Sequence, residues 1–147
     1  MLRINKKTDY AVRVLLALAK QGPGARVRTS VIQEQMLVPR PFLQRIVADL
    51  SRAGLIHTFP GPKGGLQLAH STDDVNLRHI VEAIDGPLLI SDCLAGEGVC
   101  ELDITCPVHP RWERMQALIV AELEGATLTQ LAKEAFAKEH ISLEDIG

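Results

Sequence analysis

All three cysteines of the chain lie in one short stretch, as Cys93, Cys100 and Cys106 with the spacing C-x6-C-x5-C, and His109 follows three residues later. Thiolates bind soft metals and iron–sulfur clusters because sulfur shares charge with the iron. Cys106 also precedes a predicted helix, whose N-terminal amides favour a thiolate. Three thiols cannot all be paired, which disfavours a purely disulfide role. The stretch predicts a metal- or cluster-binding loop, and the alternative is a loop with scattered free cysteines.

The net charge of −2 conceals a strong polarity along the chain. Residues 1–70 carry eleven Lys and Arg against three Asp and Glu, which gives +8, whereas residues 71–147 carry five against fifteen, which gives −10. A basic segment favours a polyanionic partner, because each neutralised phosphate releases counterions. An acidic segment would be repelled by the same partner. Only the first half is therefore predicted to bind nucleic acid.

The basic half predicts three helices. Apolar residues at i, i+3, i+4 and i+7 indicate buried helices over 8–21 and 40–53. Between them, Ser30 to Gln33 has the pattern of a capping box, which predicts a shorter helix ending near Met36. The predicted inward-facing residues are Val12, Leu15, Leu16 and Ala19 in the first helix and Leu43, Ile46, Val47 and Leu50 in the third.

The second and third predicted helices are joined by the tight turn Leu37-Val38-Pro39, which is typical of a helix-turn-helix. In that motif the N-terminal end of the second helix reads base edges in the major groove. Arg pairs bidentately with guanine and Gln with adenine. The alternative is that these side chains form an ordinary solvated helix face. The side chains predicted to bind DNA are Arg28, Arg40, Gln44, Arg45 and Lys63.

Two short strands, over 55–59 and 66–69, are predicted to flank a Gly- and Pro-rich tip at 60–65 that contains Lys63. A tip of this kind is how a winged helix places a hairpin against the phosphate backbone or the minor groove. An ordinary hairpin is the alternative. Its position directly after a helix-turn-helix favours a wing.

The acidic half predicts a helix over 77–85, then the cysteine loop, then a helix over 110–124. The predicted helix over 110–124 is apolar most of the way round, so it must be covered on more than one side. A second subunit is the expected cover, with Trp112 and Ile119 in or beside the contact. A last helix is predicted to begin at a Thr127 cap, and the acidic tail over 139–147 is expected to be loose.

The predicted fold class is mainly α with a small β-wing, a winged helix-turn-helix followed by a long dimerisation helix. No segment approaches the ~18 uncharged apolar residues that cross a bilayer. The N-terminus lacks the features of a signal peptide, so a cytoplasmic protein with reduced thiols is expected. The predicted division is a DNA-binding domain over 1–72 and a cluster-binding and dimerisation region over 73–147.

The order of these parts resembles the Rrf-type winged-helix iron–sulfur transcription regulators, the group of IscR and NsrR. The resemblance extends over residues 2–135 and covers nearly the whole chain. Besides the cysteine loop, it is carried by Thr8-Asp9-Tyr10-Ala11, by Ser-Arg-Ala-Gly-Leu at 51–55, by Gly-Pro-Lys-Gly-Gly at 61–65 and by Glu-Ala-Ile-Asp-Gly at 82–86.

The resemblance implies a homodimeric transcription regulator, a repressor, whose three cysteines hold a [4Fe-4S] or [2Fe-2S] cluster. It also implies that loss or oxidation of the cluster, in response to redox state, nitric oxide or iron and sulfur supply, changes DNA affinity. Two residues match fourth ligands found in the family. Asp9 would bind the cluster of the partner subunit, whereas His109 would bind within its own chain, and we favour Asp9.

Three positions depart from the family pattern. The first cysteine gap has six residues where five or fewer are usual, so the cluster type stays open. Pro60 stands where many relatives have an arginine, and a minor-groove contact would then fall to Lys63. Gln44 stands where cluster-assembly regulators have a glutamate that restricts base choice, so a target DNA sequence does not carry over.

The cysteine loop and the charge distribution raise three alternatives to this function. Zinc could bind the three cysteines and His109 tetrahedrally, or the thiols could act by oxidation, in either case without a cluster. An enzyme with a Cys106–His109 pair is disfavoured, because no oxyanion loop or substrate motif accompanies the pair. A dimerisation module without a nucleic-acid partner is disfavoured by the charge polarity.

Overall fold

The computed structural model describes the backbone of residues 3–144 and the side chains of residues 3–139. Six helices and one two-stranded antiparallel sheet make up this part of the chain, which confirms the predicted fold class. A 3-10 turn at Asp92–Leu94 lies between the fourth and fifth helices. In chain order the elements are α1 (Lys6–Lys20), α2 (Thr29–Met36), α3 (Arg40–Arg52), β1 (Ile56–Phe59), β2 (Gly65–Leu68), α4 (Leu77–Asp85), α5 (His109–Gly125) and α6 (Leu128–Glu144).

Helix α1 lies at the centre of the fold and contacts α2, α3, α4, α6 and β2. Its fully buried apolar side chains are Ala11, Val14, Leu15 and Leu18. The predicted inward face is therefore wrong except at Leu15, because Val12 and Ala19 are only partly buried at the edge of the core and Leu16 is only half-buried. A helix covered on several sides carries apolar residues in two overlapping registers, and periodicity alone does not separate them.

Helix α2 begins at Thr29, one residue before Ser30, which was the predicted cap. Its N-cap is Arg28, which makes no side-chain cap hydrogen bond, and Ser30 lies inside the first turn. The predicted capping box is therefore wrong. The helix ends at Met36, and its C-cap Leu37 is the one non-glycine residue among the described residues with a left-handed backbone, at φ 53°. This turn sends the chain directly into α3 and buries Val38 beneath it.

Helix α3 and the wing follow the prediction closely. Leu43, Ile46 and Leu50 of α3 face the core, and Gly54 ends the helix with φ 74°. In the wing, Ile56 pairs with Leu68 and Phe59 with Gly65.

Two glycines of the wing are fixed by close backbone contacts. A Cβ on Gly64 would lie 1.9 Å from the Phe59 carbonyl oxygen, and one on Gly65 would lie 2.5 Å from the Val27 carbonyl oxygen. The second contact arises because Val27 and Leu66 form an isolated bridge, with hydrogen bonds of 2.9 and 2.8 Å. The wing is therefore attached to the segment that leads into α2.

The second half of the chain shares this core. Val75, Ile80 and Leu128 are buried with the residues of α1 and α3. The backbone between α5 and α6 is joined to the start of α4, since Leu77 N donates to Ala126 O and Leu128 N donates to Val75 O. No helix within residues 3–144 is long and apolar enough to span a membrane.

The C-terminal helices differ in one respect from the prediction. Thr127 caps α6 as expected, by accepting a hydrogen bond from Gln130 N at 3.2 Å. The helix then continues to Glu144, so the predicted loose tail is wrong over residues 139–144, and the rest of that tail lies outside the described residues. Helix α5 has no buried residue along its whole described length.

Candidate DNA interface and cysteine loop

The exposed face of α3 carries the predicted base-reading side chains. Arg40, Gln44 and Arg45 are exposed in its N-terminal half, while the neighbouring Leu43 and Ile46 are buried. This alternation follows from the helical repeat, which places positions 40 and 44 on the same side of the helix. The N-terminal half of α3 can therefore enter a DNA groove without disturbing its contacts with the core.

Two adjoining clefts connect this face to the wing. The smaller, about 290 Å³, is lined by Arg40 and Gln44 of α3 together with residues of α2. The larger, about 590 Å³, lies between Arg28 and the wing segment. Thr29 and Val47 line both clefts, so the two form one concave surface.

The predicted DNA-binding cations are available to a polyanion. Among the described side chains, no carboxylate forms an ion pair with Arg28, Arg40, Arg45 or Lys63, and all four residues are exposed. Phosphate oxygens could therefore bind them without first breaking an internal salt bridge.

One cation of the N-terminal segment is used internally instead. Lys7 forms an ion pair with Asp49 of α3, whose side chain is 16% exposed, and Arg52 binds the other oxygen of that carboxylate at 2.9 Å. The hydrogen bond from Lys7, and to a smaller extent that from Arg52, holds the pKa of Asp49 below its usual value, although burial opposes the shift. The pair fixes the start of α1 against the C-terminal half of α3.

The cysteine loop occupies residues 86–108, between α4 and α5. Cys93 lies in the 3-10 turn, where its Sγ is 3.2 Å from Ser91 Oγ. Cys100 and Cys106 lie in successive turns, closed by hydrogen bonds from Asp103 N to Cys100 O and from Cys106 N to Leu102 O. All three cysteines are half-buried free thiols.

His109 begins α5 beside two carboxylates. Its Nδ1 lies 2.6 Å from Asp103 Oδ1, and its Nε2 lies 3.3 Å from Glu113 Oε1. Nδ1 and Oδ1 are both buried, and among the described residues neither has a polar partner other than this close contact with each other. Cys93, Asp103, His109 and Glu113 line one cavity of about 390 Å³.

These donors fit an iron–sulfur cluster in kind, since thiolates and an imidazole are its usual ligands. The lining of the cavity also contains these two buried polar atoms, as expected of a site for a polar or charged group. The arrangement is nevertheless incomplete, because no three His, Cys, Asp or Glu side chains among the described residues are grouped to hold a metal ion. A cluster on the three cysteines therefore requires the loop to close.

Asp9 lies apart from this loop in the same chain. It is exposed in the first turn of α1 and forms an ion pair with Arg13 at 2.9 Å. Arg13 also donates to Met36 O at the end of α2, at 3.3 Å. The structure thus brings His109 into a cavity with Cys93 and does not bring Asp9 into any metal-holding group of the described residues.

Sequence reasoning missed the carboxylates that surround His109. Glu113 follows His109 by four residues, a spacing that places two side chains on the same helix face and was a readable signal. Asp103 carried no such signal, because its contact depends on how an irregular loop folds.

An exposed apolar stripe runs along α5. Val108, Trp112 and Met115 are 42%, 38% and 39% exposed, and half-buried Ile119 continues the same face. Ile104 of the cysteine loop is fully exposed. A contiguous apolar surface of this kind is typical of a protein–protein contact.

A helix-turn-helix followed by a glycine-fixed wing, with exposed cations along one concave surface, defines a winged-helix DNA-binding transcription regulator. The model of the Rrf2 family, described as an iron-dependent transcriptional regulator, matches residues 4–134. The chain therefore belongs to the Rrf2 family.

Individual relatives agree with this assignment. The HTH-type transcriptional regulator IscR of Photobacterium profundum is 25% identical over 94% of this chain and 80% of its own length. Among solved structures, the global cysteine regulator CymR of B. subtilis is 25% identical with a TM-score of 0.70, covering 91% of this chain and 98% of CymR. IscR of T. potens is 26% identical with a TM-score of 0.70, covering 91% and 88%. These relatives confirm the expectation of a regulator rather than an enzyme.

Proposed function

We propose that this Rrf2-family regulator is a homodimeric repressor whose affinity for operator DNA is switched by an iron–sulfur cluster on Cys93, Cys100 and Cys106. The main support is the cavity that Cys93 and His109 line together, whose wall also contains the close contact between His109 Nδ1 and Asp103 Oδ1. A bound cluster would supply iron that reacts with oxygen or nitric oxide. The chain itself would supply the thiolates, exclude water from the cavity and move with the loop.

The fourth ligand is the sharpest point to test. Asp9 of the partner subunit is favoured, because the carboxylate is exposed and a hard oxygen ligand makes one corner of a soft cluster labile. His109 is the competing ligand, since it lines the same cavity as Cys93.

The test compares Asp9→Ala and His109→Ala after anaerobic reconstitution. Loss of the wild-type visible spectrum and of the DNA switch in Asp9→Ala alone supports the cross-subunit ligand. If His109→Ala alone loses them, the ligand belongs to the same chain. Iron and sulfide counts per subunit distinguish a [4Fe-4S] from a [2Fe-2S] cluster in either case.

For DNA, we propose that Arg40, Gln44 and Arg45 contact base edges in the major groove or the phosphates beside it. Arg28 and Lys63 would bind phosphates on either side of the larger cleft. Replacing a base-reading residue by alanine should cost about 1–3 kcal/mol of binding free energy at its own base position. Unchanged affinity of both Arg40→Ala and Arg45→Ala for a duplex selected by the wild-type protein would show that this face does not read DNA.

For the dimer, we propose that the apolar stripe of α5 contacts a second copy of the chain, with Trp112 and Ile119 in or beside the contact. In this division, residues 1–72 bind DNA and residues 73–147 hold the cluster and the partner. Ile119→Glu should shift the protein toward monomer in sedimentation, because a carboxylate at a subunit contact is desolvated without a partner. A dimer that survives this change would place the contact elsewhere.

A second candidate is a regulator that uses the same cysteines without a cluster, by zinc binding or by thiol oxidation. Thiol oxidation is favoured by the lack of any assembled metal group among the described residues and by the likeness to the cysteine regulator CymR, whereas zinc, like a cluster, requires the loop to close. Anaerobically purified protein decides between the two. A visible absorption band with stoichiometric iron and sulfide supports the cluster, whereas colourless protein supports zinc or the thiols.

A further inference from the structure

Two consecutive residues in the first turn of α1, Lys7 and Thr8, contact two different helices. Lys7 forms its ion pair with Asp49 of α3. The next residue, Thr8, is fully buried and is the one buried polar residue among those described. Its hydroxyl donates a hydrogen bond of 2.6 Å to Asp85 Oδ2, which belongs to α4. Thus α1 is joined to α3 and α4 within one turn.

Both oxygens of Asp85 are used in this contact. Asn5, the N-cap of α1, donates its side-chain amide to Asp85 Oδ1 at 2.5 Å and accepts from Thr8 N at 2.8 Å. We call these three residues, Asn5, Thr8 and Asp85, the clamp. Without the carboxylate, the buried Thr8 hydroxyl would lose its acceptor, which is costly in a buried site.

The position of Asp85 in α4 points to a role beyond helix stability. It is the last residue of α4, where a negative charge is disfavoured by the helix dipole. Gly86 is the next residue, and the loop that carries the three cysteines begins there. Any movement at the start of that loop therefore acts first on the residue that holds α1.

Helix α1 in turn contacts α3 near both ends of α3. Lys7 forms its ion pair with Asp49 near the C-terminal end of α3. Tyr10 packs edge-to-face against Phe42 in the first turn of α3, with ring centroids 5.2 Å apart. Phe42 lies between the DNA-facing residues Arg40 and Gln44. Because packed helices shift as rigid bodies, a displacement of the first turn of α1 moves the recognition helix.

We propose that the clamp is the connection through which the state of the cysteine loop sets the position of the recognition helix. Asp85 and Thr8 are then positioning residues, because neither is itself a proposed DNA contact or cluster ligand, although Thr8 precedes Asp9 in the chain. This inference rests on the proposed function only in that the cysteine loop is the part of the chain that changes state.

The test is a double-mutant cycle of Asp85→Asn and Thr8→Val. Asparagine keeps the shape of Asp85 but places its amide against one of the two donors, and valine removes the Thr8 hydroxyl. The matched control is Asp73→Asn, because Asp73 accepts a hydrogen bond from Thr129 of α6 in the same way, away from the loop and from α3. The measured quantity is the ratio of dissociation constants for a selected DNA duplex with and without the cluster.

Each single variant should reduce that ratio at least fivefold toward one, which is the lower end of ordinary allosteric coupling. The double variant should lose little more than either single variant, since both break the same connection. Asp73→Asn should keep the wild-type ratio. Variants of the clamp that keep the wild-type ratio with normal cluster content would overturn the inference while leaving the proposed function intact.

A second measurement does not depend on a cluster. Coupling is reciprocal, so DNA binding should slow hydrogen exchange of loop residues 86–108 in metal-free wild-type protein. Asp85→Asn should abolish this response while it still binds DNA. If wild-type protein shows no response, or Asp85→Asn keeps it, the clamp is structural only. Absence of a cluster from purified protein would instead refute the proposed function and leave this measurement to decide about the clamp.

Discussion

Replacing Gly64 by alanine tests the closest backbone approach in the wing. The new Cβ would lie 1.9 Å from the Phe59 carbonyl oxygen and 2.8 Å from the Pro60 carbonyl carbon. Ordinary van der Waals contact begins near 3.4 Å, so the tip and β1 would have to separate by about 1.5 Å. Both clashing groups are backbone atoms, so no change of rotamer relieves the overlap.

The expected cost is that of overpacking, about 1–3 kcal/mol in the free energy of unfolding. At this chain length each kcal/mol lowers the melting temperature by about 4 °C. The displaced tip should also lose the proposed phosphate contact of Lys63, which would weaken DNA binding and flatten its salt dependence by about one phosphate. Thermal unfolding followed by circular dichroism and DNA titrations at several salt concentrations measure the two effects.

Gly61→Ala is the matched control in the same tip. Gly61 has φ 90°, and nothing lies within 4 Å of a Cβ built on it. Alanine there should cost only backbone strain, roughly 1–2 kcal/mol. Equal destabilisation of the two variants, with an unchanged salt dependence in Gly64→Ala, would refute the close approach of the tip to β1.

Three shorter predictions concern the turn, the ion pair and the wing cation. Leu37→Asn should raise the free energy of unfolding by about 0.5–1 kcal/mol in urea titrations, because asparagine tolerates the left-handed backbone; no gain would contradict the φ of 53°. Lys7→Met should destabilise by up to about 1 kcal/mol at pH 7. Since the folded pKa of Asp49 is lowered, this difference should persist down to about its usual pKa of 3.8 and disappear as pH falls further; a difference that survives at pH 2 would assign it to packing. Lys63→Ala should weaken binding to all DNA sequences alike and lower the salt slope by about one, whereas a sequence-dependent loss would indicate base reading.

Elements with strong local signals were predictable from the sequence. The prediction of a helix over 77–85 matches Leu77–Asp85, because a glycine stop and apolar spacing act within the helix itself. The wing was predictable for the same reason, since its glycines permit backbone contacts that no other residue allows. The exposed cations of α3 followed from its periodicity.

Features that depend on distant contacts were not predictable. The hydrogen bond between Thr8 and Asp85 joins residues 77 apart in the chain, and neither residue type indicates the other. The buried face of α1 was misassigned because α2, α3, α4 and α6 all pack on it. The arrangement of the three thiols depends on irregular turns, for which spacing gives the donor set but no geometry.

The first turn of α1 is where two routes of control would meet. Thr8 binds the residue that precedes the cysteine loop of its own chain. Asp9, the next residue, is the proposed ligand to the cluster of the partner subunit and is held by Arg13 when it is not so engaged. Each recognition helix would then respond to both cysteine loops of the dimer, so loss of either cluster would release contacts in both subunits. A regulator built in this way switches as a unit, and a mixed dimer with one Asp85→Asn subunit should show a reduced ratio of DNA affinities rather than the wild-type ratio.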